Sequence, residues 1–401
     1  MKDLSGIVDR IIVADLCFLV FSIPISISMT EVAAALAISL WLVKKLFVQK
    51  SLRLPATPLN LPIYLVLIFA ALSFINSGYL WTSLRGFAGK ILEYALLYFA
   101  IVDTVRTKSD IRKITISILV TCAVVSLDGL WQYFSGRDLI RGYPLWSMGR
   151  IKATFKFPTG FAAWVITVLP LTASLVFMDA REKTIRLCGS LMSALLFITL
   201  ILSLTRAAWL AVVPAGLFIV WKRGKRAKTA LLSVLLALLL LVSVFLALAP
   251  DTFFLYTARG NAIFHRAELT KMCWRMFLDH PFIGHGYNTF MSIYESYCDI
   301  DKFDGISYAH NCYLQMAVET GILGLSAFLF LIFRFFTVSN RSINQKGDNF
   351  VKAVQIGLVA GLAAYLVHSL METNLYSLQL TTLFFTFLGF AVACRGFKSS
   401  V

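Results

Sequence analysis

Long apolar runs, each about the length needed to cross a bilayer, alternate with short basic connections along most of this chain. In lipid every backbone N–H and C=O must be satisfied within the protein, so such runs predict helices. About twelve can be drawn, near residues 11–27, 31–48, 61–76, 86–104, 112–134, 160–178, 186–203, 207–221, 229–249, 311–336, 352–371 and 375–394. The Leu-rich TALLSVLLALLLLVSVFLALA at 229–249 is the cleanest of them, whereas Arg85, Lys90 and Glu93 interrupt the pattern around 84–104. The expected fold is an all-α polytopic membrane protein. Spans 1–9 fall in residues 1–249, with a short loop at 135–159; a partly helical loop occupies 250–310; spans 10–12 and the C-terminus occupy 311–401.

Composition supports that class. Of 401 residues 59% are hydrophobic and only 14% charged, with a mean hydropathy of +0.78. A soluble domain has about 25% charged residues and needs them to cover its surface. Met1–Arg10 is short and mixed in charge, so a retained first span is expected rather than a cleaved signal.

The net charge of +16 would suit nucleic acid, but its placement argues otherwise. With a cytoplasmic N-terminus, the even-numbered connections carry Lys44, Lys45, Lys50 and Arg53, then Arg106, Lys108, Arg112 and Lys113, then Arg181, Lys183 and Arg186. KRGKRAK (222–228) follows, and then Arg334, Arg341, Lys346 and Lys352. This is the positive-inside pattern, explained by topology and anionic lipid, and it puts both termini in the cytoplasm.

The opposite face is the informative one. Its loops carry Arg137, Arg141, Arg150, Lys152 and Lys156, then Arg259, Arg266, Lys271 and Arg275, with four of the five histidines. Arg206 sits in a tight turn at the same level. Topology predicts few cations there, and an anionic ligand is the simplest reason for so many.

In LSLTRAAWL (202–210), Arg206 stands where one span ends and the next begins. Thr205 is placed to cap the following helix, whose N-terminus and Arg206 would together favour a phosphate; a snorkelling anchor is the plainer reading. Residues 261–290 read as an amphipathic helix ending at His280-Pro281, with Ile263, Ala267, Met272 and Phe277 on its apolar side and Arg266 and Arg275 elsewhere. Asp279, His280 and His285 match no zinc spacing. Asp299 and Asp301 form an Asp-x-Asp pair like that of metal-dependent glycosyltransferases, but Lys302 and Asp304 mark a solvated loop, so no metal or other cofactor is expected. Cys17, Cys122, Cys188 and Cys394 read as small hydrophobes; Cys273, Cys298 and Cys312 share one polar loop in which a disulfide could form.

YAHNCYLQMAVETGILG (308–324) starts a span at Asn311, leaving His310 at a helix N-terminus. The dipole there favours a neutral imidazole, poised as a general base; a structural capping histidine is the alternative. Glu319, buried at a cost in the same span, is expected to pair with an arginine or line a cavity.

Taken in order, SLTRAAWL, HRAELTKMCWRMFLDHPFIGHGYNTF and AHNCYLQMAVETGILGL resemble the O-antigen ligase family, and GRIKATFKFPTGFAAWVITVLPL resembles the region ahead of them. The likeness covers roughly residues 150–325 and is carried by the order of the motifs. It implies a metal-independent inverting glycosyltransferase on the periplasmic face of a bacterial inner membrane. The donor would be a glycan on undecaprenyl diphosphate, and the acceptor lipid A–core oligosaccharide. Arg206 and Arg266 would hold the diphosphate and His310 would act on the acceptor, with Arg150, Arg275 and Glu319 as auxiliaries. The loop departs from the family in carrying several additional histidines. A polysaccharide polymerase or a protein O-oligosaccharyltransferase would use the same donor. A lipid-linked glycan transporter would rest on Asp15, Asp128, His368 and Glu372, but lacks the expected internal repeat.

Overall fold

The computed structural model describes residues 2–178, 182–224, 229, 260–298 and 308–396. Its helices are α1 (Lys2–Ile25), α2 (Ile27–Val43), α3 (Asn60–Leu72), α4 (Leu80–Gly86), α5 (Glu93–Thr104), α6 (Lys108–Ser135) and α7 (Pro158–Val176). They continue with α8 (Lys183–Leu202), α9 (Arg206–Arg223), α10 (Gly260–Asp279), α11 (Phe290–Ile293), α12 (Cys312–Ile343), α13 (Asn349–His368) and α14 (Leu378–Ala393). Short π or 3-10 segments extend α2 to Val48 and α3 to Asn76, and join α4 to α5. Two isolated β-bridges, Arg137 with Pro144 and Trp146 with Arg150, brace the loop before α7.

Every expected apolar run inside the described residues is helical. Among those residues, five helices (α6, α7, α8, α12 and α13) are long and apolar enough to cross a membrane, and 60–76 and α14 are shorter apolar helices. That set is smaller than the expected twelve, for physical reasons. Asp9, Arg10 and Asp15 lie along α1; Arg206, Lys222 and Arg223 bound α9; and the 84–104 region is divided between α4, a π segment and α5. The run at 229–249, the Asp-x-Asp at 299–301, Arg259 and most of KRGKRAK lie outside the described residues.

Local chemistry sets the ends. Thr107 and Asp110 form a reciprocal capping box at the start of α6, and Gly136 closes it in the left-handed conformation at φ 82°. Asn311 accepts from Tyr313 N and Leu314 N, so it caps α12 rather than opening it, and Asp348 caps α13 in the same way.

The closest packing joins α7 to α13. Gly357 and Gly361, four residues apart, let the backbones meet: a Cβ at Gly361 would fall on the Thr167 carbonyl and one at Gly357 on Leu171 Cα. Ser174 Oγ donates to Ala353 O at 2.8 Å along the same seam. Replacing Gly361 by leucine is expected to destabilise the protein by about 1–3 kcal/mol through overpacking, read as a lowered thermal midpoint in detergent.

Helix ends sort onto two faces. On one, the ends of α1, α2, α5 and α6 gather around Asp103, which takes Lys45 at 2.9 Å, Arg106 at 2.6 Å and the Trp41 indole N–H at 2.9 Å. Lys44 is fully buried between Asp9 (2.7 Å) and Asp103 (3.5 Å). Lys44 and Lys45 were expected to face anionic lipid; burial against two carboxylates replaces that reading.

On the other face, Arg141 Nη1 donates to Ile25 O at 3.0 Å, Gln379 Nε2 to Ile23 O at 2.6 Å, and Ile151 N to Leu202 O at 3.2 Å. These bonds tie together the loop before α7, the α8–α9 turn and the start of α14.

One span is broken. Gly321 inside α12 has φ 65° and ψ −170°, which glycine alone adopts without strain. The segment 281–286 docks into that break: His285 N donates to Val318 O (3.0 Å), Gly286 N to Glu319 O (3.0 Å) and Ile322 N to Pro281 O (2.8 Å).

Candidate functional site

Glu372 is the centre of the second face. It lies in the short link between α13 and α14, is buried, and accepts from two of the residues singled out by sequence. Arg266 Nη2 is 3.0 Å from one carboxylate oxygen and His310 Nδ1 is 3.1 Å from the other. Arg266 is in the first turns of α10 and His310 just ahead of α12, so three distant parts of the chain meet on one carboxylate.

The link is held in place through Cys312. Its N–H donates to Ser369 O (2.9 Å), its thiol donates to Glu372 O (3.3 Å), and Leu375 N donates to its sulfur (3.3 Å). No cysteine of the chain is in a disulfide, so the bridge that Cys273, Cys298 and Cys312 could have formed is replaced, for Cys312, by this packing role.

His310 has φ 49°, a left-handed conformation uncommon for a residue with a side chain but tolerated by histidine. Met148, Ala153 and Leu204, also at positive φ, lie in the neighbouring loops. Held strain of this kind gathers where surrounding structure fixes a working geometry. With Nδ1 donating to Glu372, the lone pair of a neutral ring lies on Nε2.

His310 and Glu372 line an open cavity of about 580 Å³ together with Arg150, Lys156, Trp146 and Tyr308. Its other walls come from the start of α7 and from 373–380. The volume is that of a small-molecule site, and two cations and aromatic rings against one carboxylate suit a polar anionic group carrying sugar. Burial alone would raise the Glu372 carboxyl, but the His310 hydrogen bond and the positive potential of its neighbours, Arg266 among them, hold it below the usual glutamate value. It is an anion in this site, and an orienting one.

Arg206, at the first position of α9, is exposed and is not among the residues lining the cavity. The turn just ahead of it is bonded to the cavity residue Arg150, whose Nε donates to Ser203 O (2.9 Å) and whose Nη2 donates to Thr205 Oγ1 (3.1 Å). Thr205 was expected to cap α9 with its side chain. It makes no such bond and instead joins Arg150 to the turn. Arg275 is exposed on α10, and neither it nor Arg266 is in the buried face of that helix, which is Leu269, Met272, Cys273 and Met276. Ala267 is exposed rather than apolar-side, and Phe277 is only half-buried.

Glu319 is not at this cavity. It is buried and accepts from Asn288 N (2.8 Å), Phe290 N (3.2 Å) and Gln315 Nε2 (3.3 Å). The expected arginine partner is replaced by backbone donors, because the loop docked on α12 brings its N–H groups there. Glu319→Leu is expected to leave two N–H groups unsatisfied, about 1–3 kcal/mol each, and to be read as early hydrogen exchange at 285–290.

His280 and His285 of the loop, and His368 at the end of α13, have structural partners, while the His265 side chain lies outside what the structure describes. His280 Nδ1 meets the Asn76 amide at 3.2 Å, His285 Nε2 meets Met276 O at 2.7 Å, and His368 Nδ1 meets the Asn374 side chain. Burial lowers the His285 pKa, only partly opposed by the Met276 carbonyl, so this ring is a neutral donor. Among the histidines with described side chains, His310 is the one lining the cavity.

Glu372 was visible in the sequence only as an ionisable residue near a span end. Asp128, grouped with it, accepts from Leu139 N (2.8 Å) and Ile140 N (3.1 Å) and holds the loop before α7. Three of the four residues behind a transport path thus serve the loops of one face.

Residues 191–329 match the family described as O-Antigen ligase. The match contains Arg206, Arg266 and His310 and leaves Arg150 and Glu372 outside. TuaE of Bacillus subtilis (strain 168), a teichuronic acid biosynthesis protein, is 26% identical over 133 residues, which are 33% of this chain and 27% of that protein. The aligned stretch therefore spans about a quarter of that relative. Residues 191–329 are thus similar to an O-antigen ligase family, and the partly aligned relative takes part in teichuronic acid biosynthesis.

Proposed function

We propose that this protein is an O-antigen ligase. It would transfer a glycan from undecaprenyl diphosphate to a hydroxyl of lipid A–core oligosaccharide, on the periplasmic face of a bacterial inner membrane, with both termini cytoplasmic. The observation that carries the reading is the Arg266–Glu372–His310 cluster at a cavity lined by Arg150 and Lys156.

The acceptor oxygen attacks the anomeric carbon as the bond from that carbon to the diphosphate oxygen breaks. The hydroxyl proton passes to His310 Nε2, and undecaprenyl diphosphate leaves with the bonding pair. A single displacement inverts the anomeric centre. His310 acts as general base, contributing on the order of 10²–10⁴-fold, and Glu372 fixes its tautomer and orientation. Arginines offset charge growing on the leaving group, a contribution of about 3–4 kcal/mol per well-placed donor. Arg266 gives one nitrogen to Glu372 and carries further N–H donors on the same planar fork. Arg206, one residue from the Arg150–Thr205 contact, would hold the far side of the diphosphate.

Transfer is tested with purified full-length protein, a defined undecaprenyl-diphosphate glycan and a panel of acceptors. Arg206→Lys and Arg266→Lys are each expected to lower turnover on the order of tenfold or more, because charge is kept but the fork is lost. Wild-type turnover in both would refute the diphosphate role.

The teichuronic acid relative favours a second reading, in which the acceptor is a growing envelope polysaccharide and the enzyme is a polymerase. Preference for a lipid-linked glycan over lipid A–core in the same panel would select it.

A further inference from the structure

A second cavity, of about 630 Å³, opens at the opposite ends of the helices that carry the candidate site. α7 and α13 border the first site near Pro158 and Glu372, and border this one at Val176–Met178 and at Asn349 and Lys352. A helix of this length rises about 28 Å, so the two cavities lie on opposite faces of the bundle.

Four cations from three helix ends line it: Arg186 of α8, Lys222 and Arg223 of α9, and Lys352 of α13. None of its described lining residues is acidic. Of the carboxylates near it along the chain, Asp179 lies outside the described residues, Asp348 takes Lys108 at 2.6 Å and caps α13, and Glu182 lies 3.8 Å from Arg112. Among the described residues, no carboxylate is within ion-pair reach of Arg186, Lys222 or Lys352. Lys222 is instead held over the Trp221 ring, 3.8 Å from its centroid, and bonded to Asn344 Oδ1 at 2.9 Å.

Scattered basic residues would satisfy topology without meeting. Convergence on one cavity is a further property, and like charges gathered there repel one another unless an anion joins them. The helix termini roughly offset, two N-termini (α8, α13) against two C-termini (α7, α9), so the side chains set the sign. The same helices expose Leu187, Leu191, Leu217 and Trp221, an apolar flank suited to acyl chains.

We propose that this cavity binds a phosphate-bearing anion, through the cluster Arg186, Lys222, Arg223 and Lys352. The shared chemistry is a phosphate monoester or diester oxygen against ammonium and guanidinium donors, from an anionic phospholipid headgroup or from free phosphate. The site is independent of the transfer reaction.

The full-length protein is examined by native mass spectrometry from phosphatidylglycerol and phosphatidylcholine nanodiscs, and by calorimetric titration with inorganic phosphate in detergent. Lys222→Gln/Lys352→Gln is expected to weaken retention of the anion at least about tenfold, and Lys222→Arg/Lys352→Arg to keep it. Loss confined to phosphatidylglycerol identifies a lipid headgroup, and loss confined to inorganic phosphate identifies a soluble anion. Equal retention of both probes by wild type and the glutamine variant overturns the proposal. Arg186→Gln, at an exposed side chain, gives the same readout should the double variant not fold.

Discussion

Replacing His310 by asparagine is expected to lower glycan transfer by on the order of 10²–10⁴-fold while leaving the amount of folded protein unchanged. Asparagine is the informative choice because position 310 has φ 49°. It tolerates the left-handed region, whereas alanine there adds strain of about 1–2 kcal/mol to the loss of the ring. Neither side chain can take the acceptor proton. In cells the lipid-linked glycan should build up on the outer face of the membrane while lipopolysaccharide loses its long chains. Accumulation on the cytoplasmic face would point to transport instead, and undiminished transfer by His310→Asn would remove the base from the mechanism.

The second large effect is expected at Glu372. Glu372→Gln keeps size and a carbonyl acceptor but removes the charge that Arg266 and His310 share. Turnover should fall by up to about 10⁴-fold, the loss seen when a carboxylate that orients a catalytic histidine is made neutral. The pH dependence of stability gives a readout independent of catalysis. The folded carboxyl titrates below the ordinary glutamate value, after its neighbours overcome the cost of burial. A depressed acid contributes stability that is present above the unfolded pKa of about 4.3 and is lost as pH falls through the lower folded value. Wild type should therefore lose stability in that acid window, and the Gln variant should lose less there. Identical acid profiles and normal turnover together would show that Glu372 only packs.

His310 and Asn311 were legible because their meaning is local: a polar pair ahead of an apolar run marks a helix start, and Asn311 is the cap. Arg206, marked by topology as a cation on the face where the charge rule predicts few, stands outside the cavity, whereas Arg266, marked the same way, meets His310 at Glu372. Glu372 was not legible as their partner, since it lies 62 residues after His310 and 106 after Arg266. Only the folding of α10, α12 and the α13–α14 link brings the three together. Glu319 misled for a related reason: besides Gln315, its partners are backbone N–H groups, which carry no sequence signature. Lys44 and Lys45 show the limit of the charge rule, which assigns a side but not whether a lysine meets lipid or a buried aspartate.

The break at Gly321 also constrains how this protein can be altered by exchange of parts. Residues 281–290 complete the hydrogen bonding of α12, so loop and span are cut to fit each other. A loop transplanted alone from a relative would bring mismatched donors and leave Val318 and Glu319 carbonyls bare within the span. Functional chimeras are therefore expected to cross over outside residues 260–323. The portable cassette runs from the start of α10 to beyond the break.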